Sequence, residues 1–132
     1  MAWEFMDYVD AAGRNVVREW LESLPAGTRK NVKAALDNQL LISKPLERLD
    51  RPDFGLLRRE CKGLIEVVLY VDRVQHRLLA FYGPGPRRQV TILAGAIERG
   101  KRLEPPGICT TALRRRNYLR QGIGKAVPHD FS

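Results

Sequence analysis

The segment LIEVVLYVDRVQHRLLAFY, residues 64–82, carries the clearest fold signal in this chain. Apolar residues run almost without interruption through residues 64–71, which predicts a buried strand, and residues 77–82 predict the strand that follows. Residues 72–76 connect the two strands. Lys62-Gly63, directly before the first of these strands, is a tight-turn signal. The segment therefore predicts consecutive antiparallel strands in the second half of the chain.

The remaining elements follow from apolar periodicity and from the residues that break it. They are strands at residues 3–9, 55–61 and 89–96, and helices at residues 14–24, between Pro25 and Pro45, and at residues 109–121. The order β-α-α-β-β-β-β-α predicts an α+β fold, with two N-terminal helices packed on a mainly antiparallel sheet of four to five strands, plus a C-terminal helix. We expect a single domain at residues 1–121 and a flexible C-terminal tail at residues 122–132.

Length and composition exclude several classes of protein. At 132 residues and 44% apolar content, the chain has material for one domain with a single modest core. No apolar run approaches the roughly 18 residues that span a bilayer. Glu4 and Asp7 stand where a signal peptide needs basic residues, so we expect a cytoplasmic protein. Cys61 and Cys109 are too few for a disulfide framework or a zinc site, and we expect reduced thiols packed as small hydrophobes.

The net charge of +8 is concentrated in the C-terminal third of the chain. Residues 87–125 hold ten Lys/Arg and two acidic residues, whereas the rest of the chain is neutral. Clustered cations release counterions from a phosphate backbone, which favours a polyanion-binding face. The same charge also suits a surface that only keeps the protein soluble, and composition does not decide between the two.

Three stretches, taken in order, resemble the RelE/ParE toxin superfamily in its phage-derived HigB-like branch. Residues 55–60, GLLRRE, are similar to the family's Gly-Leu-x-Glu-Leu-Arg strand, and residues 67–70, VVLY, to its Arg-Ile-Leu-Tyr strand. Residues 90–105, VTILAGAIERGKRLEP, are similar to the strand that enters the family's Lys-Lys-x-x-x-Lys-Thr-Pro segment before a last helix. Together with the order of elements, the resemblance covers residues 3–121.

The resemblance implies a RelE-like fold and the toxin component of a type II toxin-antitoxin system. Members of this superfamily are typically ribosome-dependent endoribonucleases (mRNA interferases) that cut mRNA without a metal or other cofactor. The implied partners are mRNA, the ribosome with its 16S rRNA, and a cognate antitoxin, normally a helix-turn-helix DNA-binding protein. No membrane is implied.

The implied cleavage needs a stabilised pentavalent phosphate oxyanion, and guanidinium groups suit this task because they present rigid bidentate donors to phosphate oxygens. Arg59 matches the arginine of the family's first strand, and Arg58 replaces it if the register differs by one, because successive strand residues face opposite ways. Either arginine also suits an exposed ion pair with Glu60 or Glu66. Tyr70 matches the family's sheet tyrosine and would stack on a base, although it equally suits the core.

The resemblance implies that the basic residues after the last predicted strand bind phosphates. The alternative is that they form a solvated loop. The catalytic candidates are therefore Arg59, Arg58, Arg99, Lys101 and Tyr70. The RNA-binding candidates are Arg102, Arg87, Arg88, Arg114, Arg115, Arg116 and Arg120.

The general base is the least defined part of the predicted site. His76 lies in a predicted hairpin connection, where an exposed imidazole is expected, and His129 lies in the predicted tail without packing to orient it. Glu60 and Glu66 are sheet carboxylates that either accept a proton or offset the arginines. Neither histidine belongs to a recognisable nucleophile motif.

The chain departs from the family's pattern at three places, one of which is Lys101-Arg102-Leu103-Glu104-Pro105 in place of the family's shorter Lys-Thr-Pro segment. The family's second sheet arginine falls on Val67, and its Lys-Lys pair is replaced by Glu98-Arg99. These departures keep open a second reading, a non-catalytic RNA- or ribosome-binding module of the same fold. A DNA-binding regulator is less favoured, because no helix-turn-helix pattern accompanies the arginine-rich helix.

Overall fold

The computed structural model describes residues 2–132, which contain seven strands in one sheet and three α-helices. The strands are β1 (Glu4–Val9), β2 (Phe54–Leu56), β3 (Ile65–Val71), β4 (Val74–Tyr82), β5 (Gln89–Arg99), β6 (Arg102–Glu104) and β7 (Lys125–Pro128). The helices are α1 (Val16–Glu22), α2 (Ala26–Ser43) and α3 (Ile108–Arg120). The predicted α+β class is confirmed.

The sheet has the order β2-β3-β4-β5-β1-β7, with β6 paired to β5 beyond the end of β1. Only the β1–β5 pair is parallel among the described residues, which confirms a mainly antiparallel sheet. The prediction of four to five strands is too low. It missed β6 and β7, which have three and four residues and are too short to show a period-2 pattern.

The predicted strand at residues 55–61 is mostly wrong. Only Phe54–Leu56 pairs with β3, and Arg59–Cys61 forms a 3-10 turn in which Arg59 has a φ of 56°. A left-handed residue cannot continue a ladder, so the chain leaves the sheet here. The facing-direction argument for Arg58 and Arg59 therefore does not apply, because neither residue lies in a strand.

Helices α1 and α2 cover one face of the sheet, here called the helix face. Val67, Leu78 and Gly95 lie side by side on it across β3, β4 and β5. The indole of Trp20, from α1, occupies the place where a side chain at Gly95 would begin. The core of the protein lies between this face and the two helices, and α2 contributes the fully buried Leu36 among others.

Helix α3 packs on the opposite face, here called the α3 face. Its Arg120 guanidinium lies 5.9 Å from the centre of the Phe81 ring of β4. A disulfide between Cys109 and Cys61 joins the start of α3 to the 3-10 turn. The expectation of two reduced thiols is therefore corrected: residues 48 apart in sequence are brought together by the packing of α3, which periodicity cannot reveal.

The C-terminal segment differs from the predicted flexible tail. Strand β7 pairs with β1, and the backbone N–H of His129 donates a hydrogen bond to Phe5 O at 2.9 Å. The His129 side chain is buried. The segment is ordered because β1 would otherwise present an unpaired edge, and β7 satisfies that edge.

No helix within residues 2–132 is long and apolar enough to cross a membrane.

Candidate functional site on the sheet face

Polar side chains from three neighbouring strands meet on the α3 face. Tyr70 of β3 pairs with Gln75 of β4, which in turn pairs with Glu98 of β5. Glu66 and Arg77 share this face, because they lie an even number of residues from Tyr70 and Gln75. We call these five residues the sheet-face cluster.

Arg77 is the centre of the cluster. Its Nη1 donates to both carboxylate oxygens of Glu66, at 3.0 Å and 2.8 Å. Its Nη2 donates to Gln75 Oε1 at 2.7 Å and to Glu98 Oε1 at 3.1 Å. Charge-assisted bonds of this kind are the strong ones in proteins, so Arg77 holds three strands in one register on this face.

The two glutamates differ in access to solvent. The Glu66 side chain is 3% exposed, whereas that of Glu98 is 26% exposed. Within residues 2–132, Glu98 Oε2 makes no hydrogen bond, and the buried Nε of Arg77 also has no partner. Tyr70 is 71% exposed at the edge of the cluster, so its ring is not part of the core. The cluster thus presents a carboxylate oxygen and an aromatic ring to solvent.

Cations from α3 and the 3-10 turn lie on the same face as the cluster. Nη1 of Arg116 occupies the space beside Gly63, next to the exposed Lys62, and burial together with the charge of Arg120 lowers the pKa of Arg116. Arg59 is exposed in the 3-10 turn that the disulfide joins to α3. We call Arg59, Lys62, Arg116 and Arg120 the basic rim.

The structure does not bring the sequence-predicted catalytic residues together. Tyr70 lies in the cluster and Arg59 in the basic rim, whereas Arg58 is exposed beside a groove of about 660 Å³ near β2. Arg99 bonds Glu104 at 2.9 Å and, with its cross-strand partner Arg102, faces away from Glu98. Lys101 is exposed in the turn between β5 and β6.

The predicted RNA-binding arginines divide between structural and exposed positions. Arg88 donates to Leu46 O and Glu47 O, both at 3.0 Å, and its guanidinium lies 4.9 Å from the centre of the Trp3 ring. Arg115 donates to Leu93 O at 2.7 Å. Leu93 lies on the β5 edge between the residues that pair with β1 and those that pair with β6. The exposed members of the set are Arg87, Arg102, Arg114 and Arg120.

Sequence reasoning missed Arg77, and a signal for it was present. Arg77 and Glu66 are charged residues of opposite sign in two consecutive apolar strands, which is the pattern of a cross-strand ion pair. Glu98 was noted only as a departure from the family. Val67, where the family's sheet arginine falls, is fully buried on the helix face, so a charged side chain there would not reach solvent.

The expectation of an exposed His76 is wrong. The hairpin is shorter than predicted, so His76 lies inside β4, where it is 1% exposed and packs edge-on against Trp20. Burial lowers the pKa of His76, and its Nδ1 has no partner among the described residues. This imidazole is therefore part of the core and is not accessible to a substrate.

No protein-family model matches the chain, and a search of the curated proteins finds no match.

Proposed function

We propose that this protein is a RelE/HigB-like toxin of a type II toxin-antitoxin system, a ribosome-dependent endoribonuclease that cleaves mRNA in the cytoplasm. The observation that carries the proposal is the sheet-face cluster: an arginine held between two glutamates, beside an exposed tyrosine, on the same sheet face that carries the basic rim. A carboxylate, an aromatic ring and surrounding cations are the groups that metal-independent RNA cleavage uses.

Glu98 is the proposed general base. Its unbonded Oε2 takes the proton from a ribose 2′-hydroxyl, and O2′ then attacks the adjacent phosphorus. The bond from phosphorus to O5′ breaks, which leaves a 2′,3′-cyclic phosphate, and the departing O5′ takes a proton from water. Glu66 does not serve this role, because both its oxygens already accept from Arg77 and its side chain is 3% exposed.

Arg77 and Tyr70 position the reacting groups in this scheme. Arg77 fixes Glu98 through Oε1 and so leaves Oε2 directed toward solvent. Tyr70, 71% exposed, offers its ring for stacking of an unpaired base. The basic rim then binds the phosphates of mRNA or 16S rRNA, and the exposed cations of the β5–β6 turn make further backbone contacts.

The order of elements supports the RelE-like part of the proposal, since a strand and two helices precede the antiparallel strands. A cognate antitoxin, with a helix-turn-helix domain, is part of the same proposal.

A non-catalytic RNA- or ribosome-binding module is the second candidate, and one observation favours it. Arg77 is bonded to two carboxylates, so the cluster has a net negative charge and offers no free guanidinium to a phosphate oxyanion. Such a module would use the basic rim alone.

Inducible expression in bacteria with mapping of mRNA 5′ ends separates the two candidates. We expect codon-phased cuts, reduced by about 100-fold or more in Glu98→Gln because the general base is lost. Glu104→Gln is the matched control, since it removes an exposed glutamate from the neighbouring strand without touching the cluster. Arg59→Ala tests the sequence-based candidate in the same assay.

One result would overturn the enzyme proposal, and another would overturn the role of Glu98 within it. Growth arrest with intact transcripts would favour the binding module. Equal cleavage by the wild type and Glu98→Gln would remove Glu98 from the mechanism.

A further inference from the structure

His129 lies between two carboxylates of different elements. Its Nδ1 is 2.8 Å from Asp7 Oδ1 on β1, and its Nε2 is 2.8 Å from Asp37 Oδ1 on α2. The His129 side chain is 2% exposed, and those of Asp7 and Asp37 are 4% and 14% exposed. The imidazole therefore joins the sheet to α2 directly after β7.

Both ring nitrogens need a proton in this arrangement. An ionised carboxylate only accepts hydrogen bonds, and a neutral imidazole carries a single N–H. A neutral His129 would place the lone pair of one nitrogen against a carboxylate oxygen at 2.8 Å. Only the imidazolium donates to both carboxylates at once.

The charges that surround His129 balance this imidazolium. Lys33 of α2 donates to Asp37 Oδ2 and to Asp130 O, and thereby offsets the second carboxylate. Asn15, which caps α1, donates to Asp7 Oδ2 at 3.1 Å. The two cations and two carboxylates sum to zero, so the buried network needs no further ion.

The remaining charged groups lie at the margin of the network. Arg18 of α1 and Asp130 line a small cavity of about 50 Å³ beside His129. Phe131 packs edge-on against the imidazole, and Lys44 Nζ lies 4.5 Å from the centre of the Phe131 ring. Asp7 and Lys33 line the same cavity.

We propose that His129 is held as a buried imidazolium that fastens β7 and the C-terminal residues to β1 and α2, and that loss of its proton releases this segment. The segment 125–132 is thus a pH-dependent latch on the β1 edge. This proposal is independent of the ribonuclease proposal, because the latch lies on the helix face, away from the sheet-face cluster.

The pH range of the latch follows from its contacts. Burial by itself lowers the pKa of His129, but the hydrogen bonds and charges of Asp7 and Asp37 outweigh burial and raise the pKa above its ordinary value. A raised pKa in the folded state means that the latch contributes fully below the ordinary histidine pKa. Its contribution is lost as pH rises through the folded-state pKa. The latch is therefore closed below the ordinary histidine pKa and opens as pH rises through the raised pKa of His129 in the folded state.

Nitrogen-15 NMR of the two imidazoles tests the protonation state directly. We expect both nitrogens of His129 to carry protons at pH 7, with a titration midpoint above that of an ordinary histidine. His76, the other histidine of the chain, is an internal control that should be neutral at the same pH. A neutral His129 tautomer at pH 7 would overturn the proposal.

Hydrogen-exchange protection factors of the β7 amides test the latch itself. In the wild type, protection should fall by about tenfold or more as His129 loses its proton, the equivalent of one charge-assisted hydrogen bond. His129→Gln should show low β7 protection with little dependence on pH. Asp37→Asn, which keeps the shape of the site, should move the wild-type transition to lower pH. Protection of β7 that is equal in all three proteins, or flat across the wild-type titration, would overturn the proposal.

Discussion

At the scale of single residues, Arg77 shows how much depends on neighbours that are distant in sequence. Its partners Glu66 and Glu98 are 11 and 21 residues away along the chain. Two glutamates on one sheet face would repel each other if Arg77 were absent, and Glu66 is too buried for water to replace it. Stability and site geometry are therefore coupled at this residue.

Replacing Arg77 by methionine should lower the free energy of unfolding by about 3 kcal/mol, because a buried carboxylate then loses its partner. Adding Glu66→Gln to this variant should restore part of the loss. Urea denaturation measures both effects. Arg99→Met is the matched control: the Arg99 and Glu104 side chains are 65% and 50% exposed, so the change should be under about 1 kcal/mol. Equal losses in Arg77→Met and Arg99→Met would show that the cluster is not a buried network.

At the scale of secondary-structure elements, α3 depends on contacts at several points. The disulfide fixes its first turn to the 3-10 turn, and near its middle Arg115 donates to the carbonyl of Leu93, which lies on the β5 edge between the residues paired with β1 and those paired with β6. Arg120 closes its last turn over Phe81. These contacts place the basic rim on the α3 face, at the end of the sheet where β3 begins and β4 ends.

Cys109→Ser should destabilise the protein by about 4 kcal/mol, since the bond closes a loop between residues 48 apart in sequence. Denaturation of the oxidised proteins measures the loss, and Cys61→Ser should give the same value. A reducing agent should lower the stability of the wild type to that of the variants and leave the variants unchanged. A wild type that is insensitive to reduction would contradict a structural role for this bond.

At the scale of the whole molecule, the positive charge of the C-terminal third is spread over separate surfaces. Arg87 and Arg88 lie between β4 and β5, Arg99 and Arg102 face away from Glu98, and α3 carries the remaining arginines. Arg88 and Arg115 are engaged by backbone carbonyls. The exposed part of the charge is therefore smaller than composition indicates, and α3 is its main element.

Removing two exposed cations from α3 should weaken RNA binding and its dependence on salt. For Arg114→Gln/Arg120→Gln we expect the slope of log K against log salt for single-stranded RNA to fall by about 1.4, or roughly 0.7 per phosphate contact. Arg18→Gln/Lys30→Gln lowers the net charge equally on the two N-terminal helices and should leave the slope nearly unchanged. Equal slopes for the two double variants would contradict a binding role for α3.

The sequence by itself determined the class of the fold and most of its long elements. Apolar periodicity is a local property, so it is readable in β1, α1, α2, β3–β5 and α3, and it gave an α+β fold with a mainly antiparallel sheet. Apolar periodicity did not decide whether the Tyr70 ring is exposed or packed in the core. The short strands β6 and β7 carry too few residues to show a period.

Only the tertiary structure decided which polar residues meet. The pairing of Glu66, Arg77 and Glu98 depends on strand register, which is set by the packing of Val67, Leu78 and Gly95 against the helices. The disulfide and the contacts of His129 likewise join residues far apart in the chain. Local patterns carry no information on such contacts. They arise when the core closes and brings distant elements to one place.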